Sequence, residues 1–381
     1  MRIVVVGAGL GGVAAAVGLH RLGHEVTLLE RGAELREAGT GIVVMPNGLR
    51  ALDALGLAED VRGHVMIDAR AGLRDRRGRP LLVTDAIQAQ QEVGTPALID
   101  RAELHRALRA PLPADLVRTA TPVERLESDP TGVTVISDGS PVTRADAVIA
   151  ADGIGSKLRG QLIPGHPGLR RTGRMDLRGM LPRPTGLETD LLACQLVDRR
   201  SGAMFGLFPV GEDRLYWFTD SVLHGSLPGA GEARRQMLSL MADWHPLVTA
   251  LIEATPPADI YVDPIACLAE PLPSYAVGRV ALLGDAAHAM PPDLGQGASQ
   301  AFEDAAALTR QLTGAEPADV AERLLRYDAE RRPSANRIMQ AASRQSRLTS
   351  QTGVAGWLRD ALLRAIPSRL ATRQLAALWH A

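Results

Sequence analysis

The chain opens on an unbroken apolar run. Ile3-Val4-Val5-Val6, within residues 2–6, has the pattern of a short strand buried on both faces. Gly7-Ala8-Gly9-Leu10-Gly11-Gly12 follows, and Val13 to Arg21 then carries apolar residues at helical spacing. Gly23 ends that helix, and Glu25-Val26-Thr27-Leu28-Leu29-Glu30 reads as a second strand. The pattern next predicts a helix over 46–60 and short strands over 65–84, with a turn at Asp75-Arg76-Arg77-Gly78. Asp100 is placed to cap a helix from about Arg101 to Arg109. Strands are expected at 116–127 and 132–137, with a turn at Ser137-Asp138-Gly139, and at the apolar run Ala147-Val148-Ile149-Ala150.

The middle of the chain changes character. Residues 166–190 are rich in Pro, Gly and Arg, and no element is assigned there. Residues 191–197, 203–209 and 214–220 are strand-like, with polar turns between them, and with Tyr261 close to the next strand they hold half of the chain's few aromatics. These segments predict a separate antiparallel sheet. A helix is expected at about 231–253 and a strand near 259–268; residues 279–284 return to the buried-strand pattern. Helices are expected at Ala298 to Thr313 and at 318–347. The tail at 355–379 is amphipathic through Trp357, Leu358, Leu362, Leu363, Ile366, Leu370 and Leu378, and Pro367 divides it. Packing over the nucleotide-binding part, or against a second subunit, is expected of it. No repeat is visible.

Composition narrows the class of protein. The 381 residues include 42 Lys+Arg against 43 Asp+Glu, a net charge of −1, which gives no global attraction to nucleic acid or to an anionic membrane. Hydrophobic residues make up 46% and charged residues 22%, a balance that excludes global disorder. Cys194 and Cys267 make neither a disulfide framework nor a metal cage and are expected to be buried; no metal is expected. No apolar run approaches the roughly 18 residues of a membrane span, and no signal peptide is expected, so a cytoplasmic location is.

Gly7, Gly9 and Gly12 form G-x-G-x-x-G between a strand and a helix. The first glycine allows the tight turn, the second a close approach of pyrophosphate, and the third close packing of helix on strand. Phosphate then lies at a helix N-terminus, where free N–H groups favour negative charge. Glu30 lies at the end of the second strand, where a carboxylate accepts from ribose hydroxyls, and Arg31 follows it. The loop from Gly7 to Gly12, with Ala8, Leu10 and Gly11, is thus a dinucleotide site; the motif alone does not separate NAD from FAD.

Two later segments bear on that choice. Asp152-Gly153-Ile154-Gly155-Ser156-Lys157-Leu158-Arg159 follows one buried strand, and Gly284-Asp285-Ala286-Ala287-His288, continuing through Met290-Pro291-Pro292-Asp293-Leu294-Gly295-Gln296-Gly297-Ala298, follows another. With these three segments in this order, the chain resembles the FAD-dependent group A (single-component) flavoprotein monooxygenases of the p-hydroxybenzoate hydroxylase fold, such as salicylate and 6-hydroxynicotinate hydroxylases. The resemblance implies an α/β fold: a Rossmann-like FAD/NAD(P)-binding domain (1–70, 96–165 and 270–335), an inserted antiparallel substrate-binding sheet (71–95 and 166–269) and C-terminal helices (336–381). It implies that Asp285 binds the ribityl chain, that Asp152 lies near the pyrophosphate and that Arg101 reaches FAD. Gly41, Val43 and the stretch to Asn47 would pass beside the isoalloxazine ring. Pro291, Gly295, Gln296, Gly297 and Ala298 would face the flavin, with the helix start stabilising the reduced anion.

The family often has Asn where this chain has Asp293, and a small residue or Asn where it has Ser299; some relatives carry a polar side chain where this chain has Val43. Asp293 is therefore one candidate catalytic residue and Tyr216 another. Tyr216 and Trp217 should point to opposite faces of one strand, with Met204, Phe208, Tyr216 and Phe218 forming the substrate pocket. His288 is expected to be structural or to face the pyrophosphate, and the arginine pairs 170–171, 199–200 and 331–332 to be solvated. The resemblance implies that NADH or NADPH reduces FAD transiently, that O2 gives a flavin C4a-hydroperoxide, and that an aromatic small molecule is hydroxylated by a monomer or homodimer. Oxidase, dehydrogenase or epoxidase chemistry is the alternative.

Overall fold

The computed structural model describes all residues except 36–39, 65–71, 186, 188, 189 and 381. The first part of the strand-like stretch 65–84, the boundary at 70–71 and the side chain of Leu378 lie outside the described residues.

The apolar runs assemble into one six-stranded sheet. Its order is Ala276–Val277, Val280–Leu282, Ala147–Ala150, Arg2–Val6, Glu25–Leu29 and Val117–Arg118. All neighbours are parallel except the first pair. Parallel strands covered on both faces explain why these runs lack polar alternation. Leu10–Arg21 and Gly297–Gln311 pack together beside this sheet, within the largest apolar core.

The second sheet has seven strands in the order Ile260–Leu268, Leu169–Pro182, Arg214–Val222, Met204–Val210, Cys194–Val197, Gly72–Asp75 and Pro80–Val83. It is antiparallel except where Cys194–Val197 runs parallel to Gly72–Asp75. Alternation sorts the two faces. Leu177, Phe205, Leu207 and Trp217 pack with the helices Ala230–Leu240 and Pro246–Ala254, and the Trp217 indole N–H donates to Thr255 Oγ1 at 2.9 Å. Tyr216, Phe218, Met204 and Phe208 lie on the other face.

Several elements differ from expectation for identifiable reasons. Residues 166–190 contain the longest strand, Leu169–Pro182, whose alternation is hidden because its cavity-facing positions are charged and because it is irregular between Arg171 and Arg174. The helix expected over 231–253 is two, since Pro246 sits in the first turn of the second. The helix over 46–60 is likewise two, Pro46–Ala54 and Glu59–Arg62, separated after Gly56 at φ +68°. Gly41–Val44 pairs with Ala97–Asp100, and Ala86–Val93 is a helix that the pattern did not disclose. Asp100 does cap Arg101–Arg109, accepting from the Ala102 N–H at 2.7 Å. The tail forms Gly353–Ala365 and Ser368–His380, broken at Pro367. It packs mainly on Pro80–Val83 and Ala86–Val93, at the edge of the second sheet, and also touches the nucleotide-binding part at Met45 and Pro46–Ala54.

Candidate active site

The glycine loop is shaped by close backbone approaches. Gly7 has φ +104°, and a Cβ there would fall 2.3 Å from the Ala151 carbonyl oxygen. A Cβ at Gly12 would fall 2.0 Å from the Gly7 oxygen, so the helix can start there only with glycine. At Gly9 nothing lies within 4 Å, and the backbone stays approachable. Leu10 and Gly11 are buried, with Gly11 against Leu283 and Ala301, so they pack the helix. The Glu30 carboxylate accepts N–H groups from Ala8 and Gly32, both at 2.9 Å, and is fixed beside the loop. Arg31 is exposed at the rim. Sequence reasoning passed over buried His105, whose Nε2 lies 2.8 Å from the Ala8 carbonyl oxygen and steadies the loop from behind.

The second segment serves the third. The Asp152 carboxylate accepts from Ser156 Oγ at 2.6 Å and from the Leu158 N–H at 3.3 Å, so it holds the start of Lys157–Leu162. Arg159, the buried last residue of that segment, donates to the carbonyls of Ile154, Asp285 and Ala286 and ties the two segments together.

Asp285 is exposed and opens to the cavity. Desolvation by the protein around it pushes its carboxyl above the usual range, against the opposing charges of His288, Arg101 and Arg159. Behind it lies a polar network. His288 Nε2 is 2.6 Å from Asp304 Oδ2, which also accepts the Gly284 N–H at 2.9 Å. Burial alone would raise the Asp304 pKa, but His288 and Arg331 hold it below the ordinary value. Arg331 binds Asp304 at 2.8 Å, Glu303 at 2.5 Å and Gln300 at 2.8 Å. The expectation of a solvated 331–332 pair therefore fails at Arg331, which is buried because carboxylates from the neighbouring helix neutralise it. Arg170, Arg171, Arg199 and Arg200 are exposed, and both cysteines are buried.

Gly295 adopts the left-handed region at φ +61°, beside Val43 and Met45. Gln296 is buried and accepts from Asn47 Nδ2 at 3.0 Å. Gly297–Gln311 then begins with no side-chain cap, so its first N–H groups face the cavity with the helix dipole behind them. Ser299 Oγ accepts the Met45 N–H at 3.0 Å and fixes Gly41–Val44 alongside.

That helix start roofs a cavity of about 660 Å³. Gly41, Val43, Pro291, Gly295, Gln296, Gly297 and Ala298 line it, as do Met204, Phe208, Tyr216 and Phe218 from the sheet below. Tyr216 lies against Gly41, where a Cβ would fall 2.4 Å from its ring. Burial drives the Tyr216 phenol far above its ordinary pKa, so it is a neutral donor and not a base. Asp293 Oδ1 accepts from Thr349 Oγ1 at 3.2 Å, its Oδ2 has no hydrogen-bond partner, and burial raises its pKa. Sequence reasoning missed Asp176, Arg178, Asp220 and Gln195, all in the cavity wall. The charged residues at every second position from Arg174 to Arg178 were the signal for the first two.

The arrangement fits a flavin dinucleotide on this geometry alone. An approachable glycine turn adjoins a fixed carboxylate, and a second carboxylate leads to an uncapped helix start over an aromatic floor. The sequence profile of the family described as FAD binding domain matches residues 1–342. The chain belongs to that family. It is 30% identical over 371 residues to the aurachin C monooxygenase/isomerase of Stigmatella aurantiaca, covering 97% of this chain and 95% of that protein. It is 32% identical over 354 residues to the 6-hydroxynicotinate 3-monooxygenase of Bordetella bronchiseptica, covering 90% of each. Klebsiella pneumoniae HpxO, solved with FAD and uric acid, superposes with a TM-score of 0.90 at 29% identity over 100% of this chain and 96% of that one. This FAD-binding family member is thus an FAD-dependent oxidoreductase with the fold and cofactor of the flavoprotein monooxygenases. None of its described helices is long and apolar enough to cross a membrane.

Proposed function

We propose that this flavoprotein takes electrons from NADH or NADPH and uses O2 to hydroxylate an aromatic or heteroaromatic small molecule. The observation that carries the reading is the shared cavity: aromatic side chains of the second sheet face the uncapped helix start of the first. FAD, when bound, supplies the electron transfer and the activation of O2. Glu30 would hold the adenosine ribose and Asp285 the ribityl hydroxyls. The Gly297–Gln311 N-terminus would stabilise negative charge on the flavin edge. Phe208, Tyr216 and Phe218 hold the substrate ring, and the apolar contacts of Met204 and Leu363 limit water around it. The Tyr216 hydroxyl donates a hydrogen bond and orients the ring. Asp293, with its proton affinity raised by burial, takes the proton released at the ring or its hydroxyl.

The test is substrate-stimulated NAD(P)H oxidation by the FAD-loaded protein with a panel of phenols and N-heteroaromatics under 18O2. One labelled oxygen in the product is expected; oxidation that no ring stimulates, or product without label, overturns the reading. Asp293→Asn is expected to lower kcat by roughly 10²–10⁴-fold with FAD content unchanged. It should also remove the acidic limb of the pH profile, since a base works only above its own pKa. An unaltered kcat would remove Asp293 from the mechanism.

A further inference from the structure

We propose that the cavity selects a neutral ring bearing N–H or O–H donors and rejects a ring that carries a carboxylate; this rests on the aromatic-hydroxylase reading above. Asp176 stands directly opposite Asp220 on one neighbouring strand and opposite Asp263 on the other. Like charges so placed repel, and a protein tolerates them in a partly dry wall only where something offsets them. Among the described residues, the cavity wall carries four carboxylates, from Asp176, Asp220, Asp285 and Asp293, against one guanidinium, from Arg178.

That guanidinium is already engaged. Arg178 Nε lies 3.0 Å from Asp176 Oδ2, and its terminal nitrogen binds Asp263. Arg174, just beyond the wall, donates to Asp220 at 2.6 Å and to the Gly202 carbonyl at 2.7 Å. An incoming carboxylate therefore meets carboxylates and a cation that is neutralised twice.

The acceptors, by contrast, are under-used. Asp293 Oδ2 is enclosed and has no hydrogen-bond partner. Arg178 Nε stands 3.0 Å from Asp176 Oδ2 yet is itself without a hydrogen-bond partner among the described residues, so this contact is a charge pairing and not a formed hydrogen bond. Buried acceptors without donors are costly, and a ligand that brings N–H or O–H groups satisfies them. The groups facing Asp176 are Arg178 on its own strand, Asp220 and Tyr216 on the next, Asp263 on the other side and Asp293 from the roof. Burial, with these like charges, raises Asp176 to about 7 and Asp220 to about 6. The wall is thus already reluctant to hold its own negative charge at neutral pH.

The experiment is a binding titration of the FAD-loaded protein at pH 7, read from the flavin absorption band. The probes are two isosteric pairs: salicylamide against salicylate, and 6-hydroxynicotinamide against 6-hydroxynicotinate. In each pair the amide is expected to bind at least about tenfold more tightly. Asp220→Asn removes the partner of Arg174, and Asp176→Asn a partner of Arg178; in each variant the preference should fall to about threefold or less. Retained yellow colour and FAD stoichiometry show that each variant has folded. Equal or tighter binding of the acids to the parent protein overturns the inference and leaves the hydroxylase reading standing. A preference unmoved in both variants also overturns it. If no ring perturbs the flavin or stimulates NAD(P)H oxidation, the aromatic reading itself falls and this inference with it.

Discussion

The glycine-loop cradle and the floor of the cavity are built on opposite plans. The cradle is backbone: glycines at Gly7, Gly9 and Gly12, N–H groups on Glu30, and a helix start at Gly297. Each piece is continuous in sequence, because a turn, a phosphate site and a capped or uncapped helix end are local objects. The floor is side chain. Asp176, Tyr216, Phe218, Phe208 and Gln195 come from four strands and meet only through register. A cradle made of backbone can be broken by one added methyl group. A floor made of side chains can be retuned without being broken.

Gly12→Val should test that contrast most severely. Its Cβ would overlap the Gly7 oxygen, and neither backbone segment can retreat without moving the strand or the helix. The variant is expected to be purified without FAD, or not to accumulate folded. A Gly12→Val protein that holds FAD at the parent stoichiometry would show that the cradle is not rigid backbone.

The support behind the cradle comes next in size. Arg331 neutralises both Asp304 and Glu303, and Asp304 in turn holds His288 and the Gly284 N–H. Arg331→Met leaves buried carboxylates without their cation, a change that costs roughly 3–5 kcal/mol. A fall in Tm of several degrees is expected, with FAD affinity weakened because the Asp285 loop loses its anchor. A parent-like Tm would mean that His288 alone neutralises Asp304.

This division explains how much was legible in advance. Gly7, Glu30 and Gly297 stand in local patterns whose geometry follows from a few neighbours, whereas Asp285 was singled out only by the family resemblance. Tyr216 and Trp217 were sorted to the right faces because strand alternation is also local. Asp176 and Arg178 were not found, because charged residues on a strand look solvated until another layer covers them. The Leu169–Pro182 strand was lost for the same reason. Arg331 misled likewise: nothing within its own helix announces that Asp304, on another helix, lies 2.8 Å away. The tail's place at the sheet edge depends on packing, which no periodicity specifies.

The smallest effect probes the floor alone, through the pH dependence of stability. Asp176 and Asp220 have folded-state pKa values of about 7 and about 6, raised above the roughly 4 of an unfolded aspartate. The native state therefore binds more protons than the unfolded chain between about pH 4 and pH 7, so this contribution to stability falls as pH rises. It is fully present below pH 4, diminishes through that window, and the penalty is complete above pH 7. Arg178 and Arg174 oppose the rise but do not cancel it, and Asp263 and Asp293 reinforce it. Asp176→Asn, which carries no titrating proton, should gain Tm relative to the parent at pH 8 and lose that advantage at pH 5. The difference is expected to be a few degrees, measured by thermal denaturation of the FAD-loaded protein at both values. An advantage that instead grows on acidification would mean that Asp176 is held ionised by Arg178. The floor would then be an ion-paired surface like the network behind the cradle, and the contrast between the two regions would be lost.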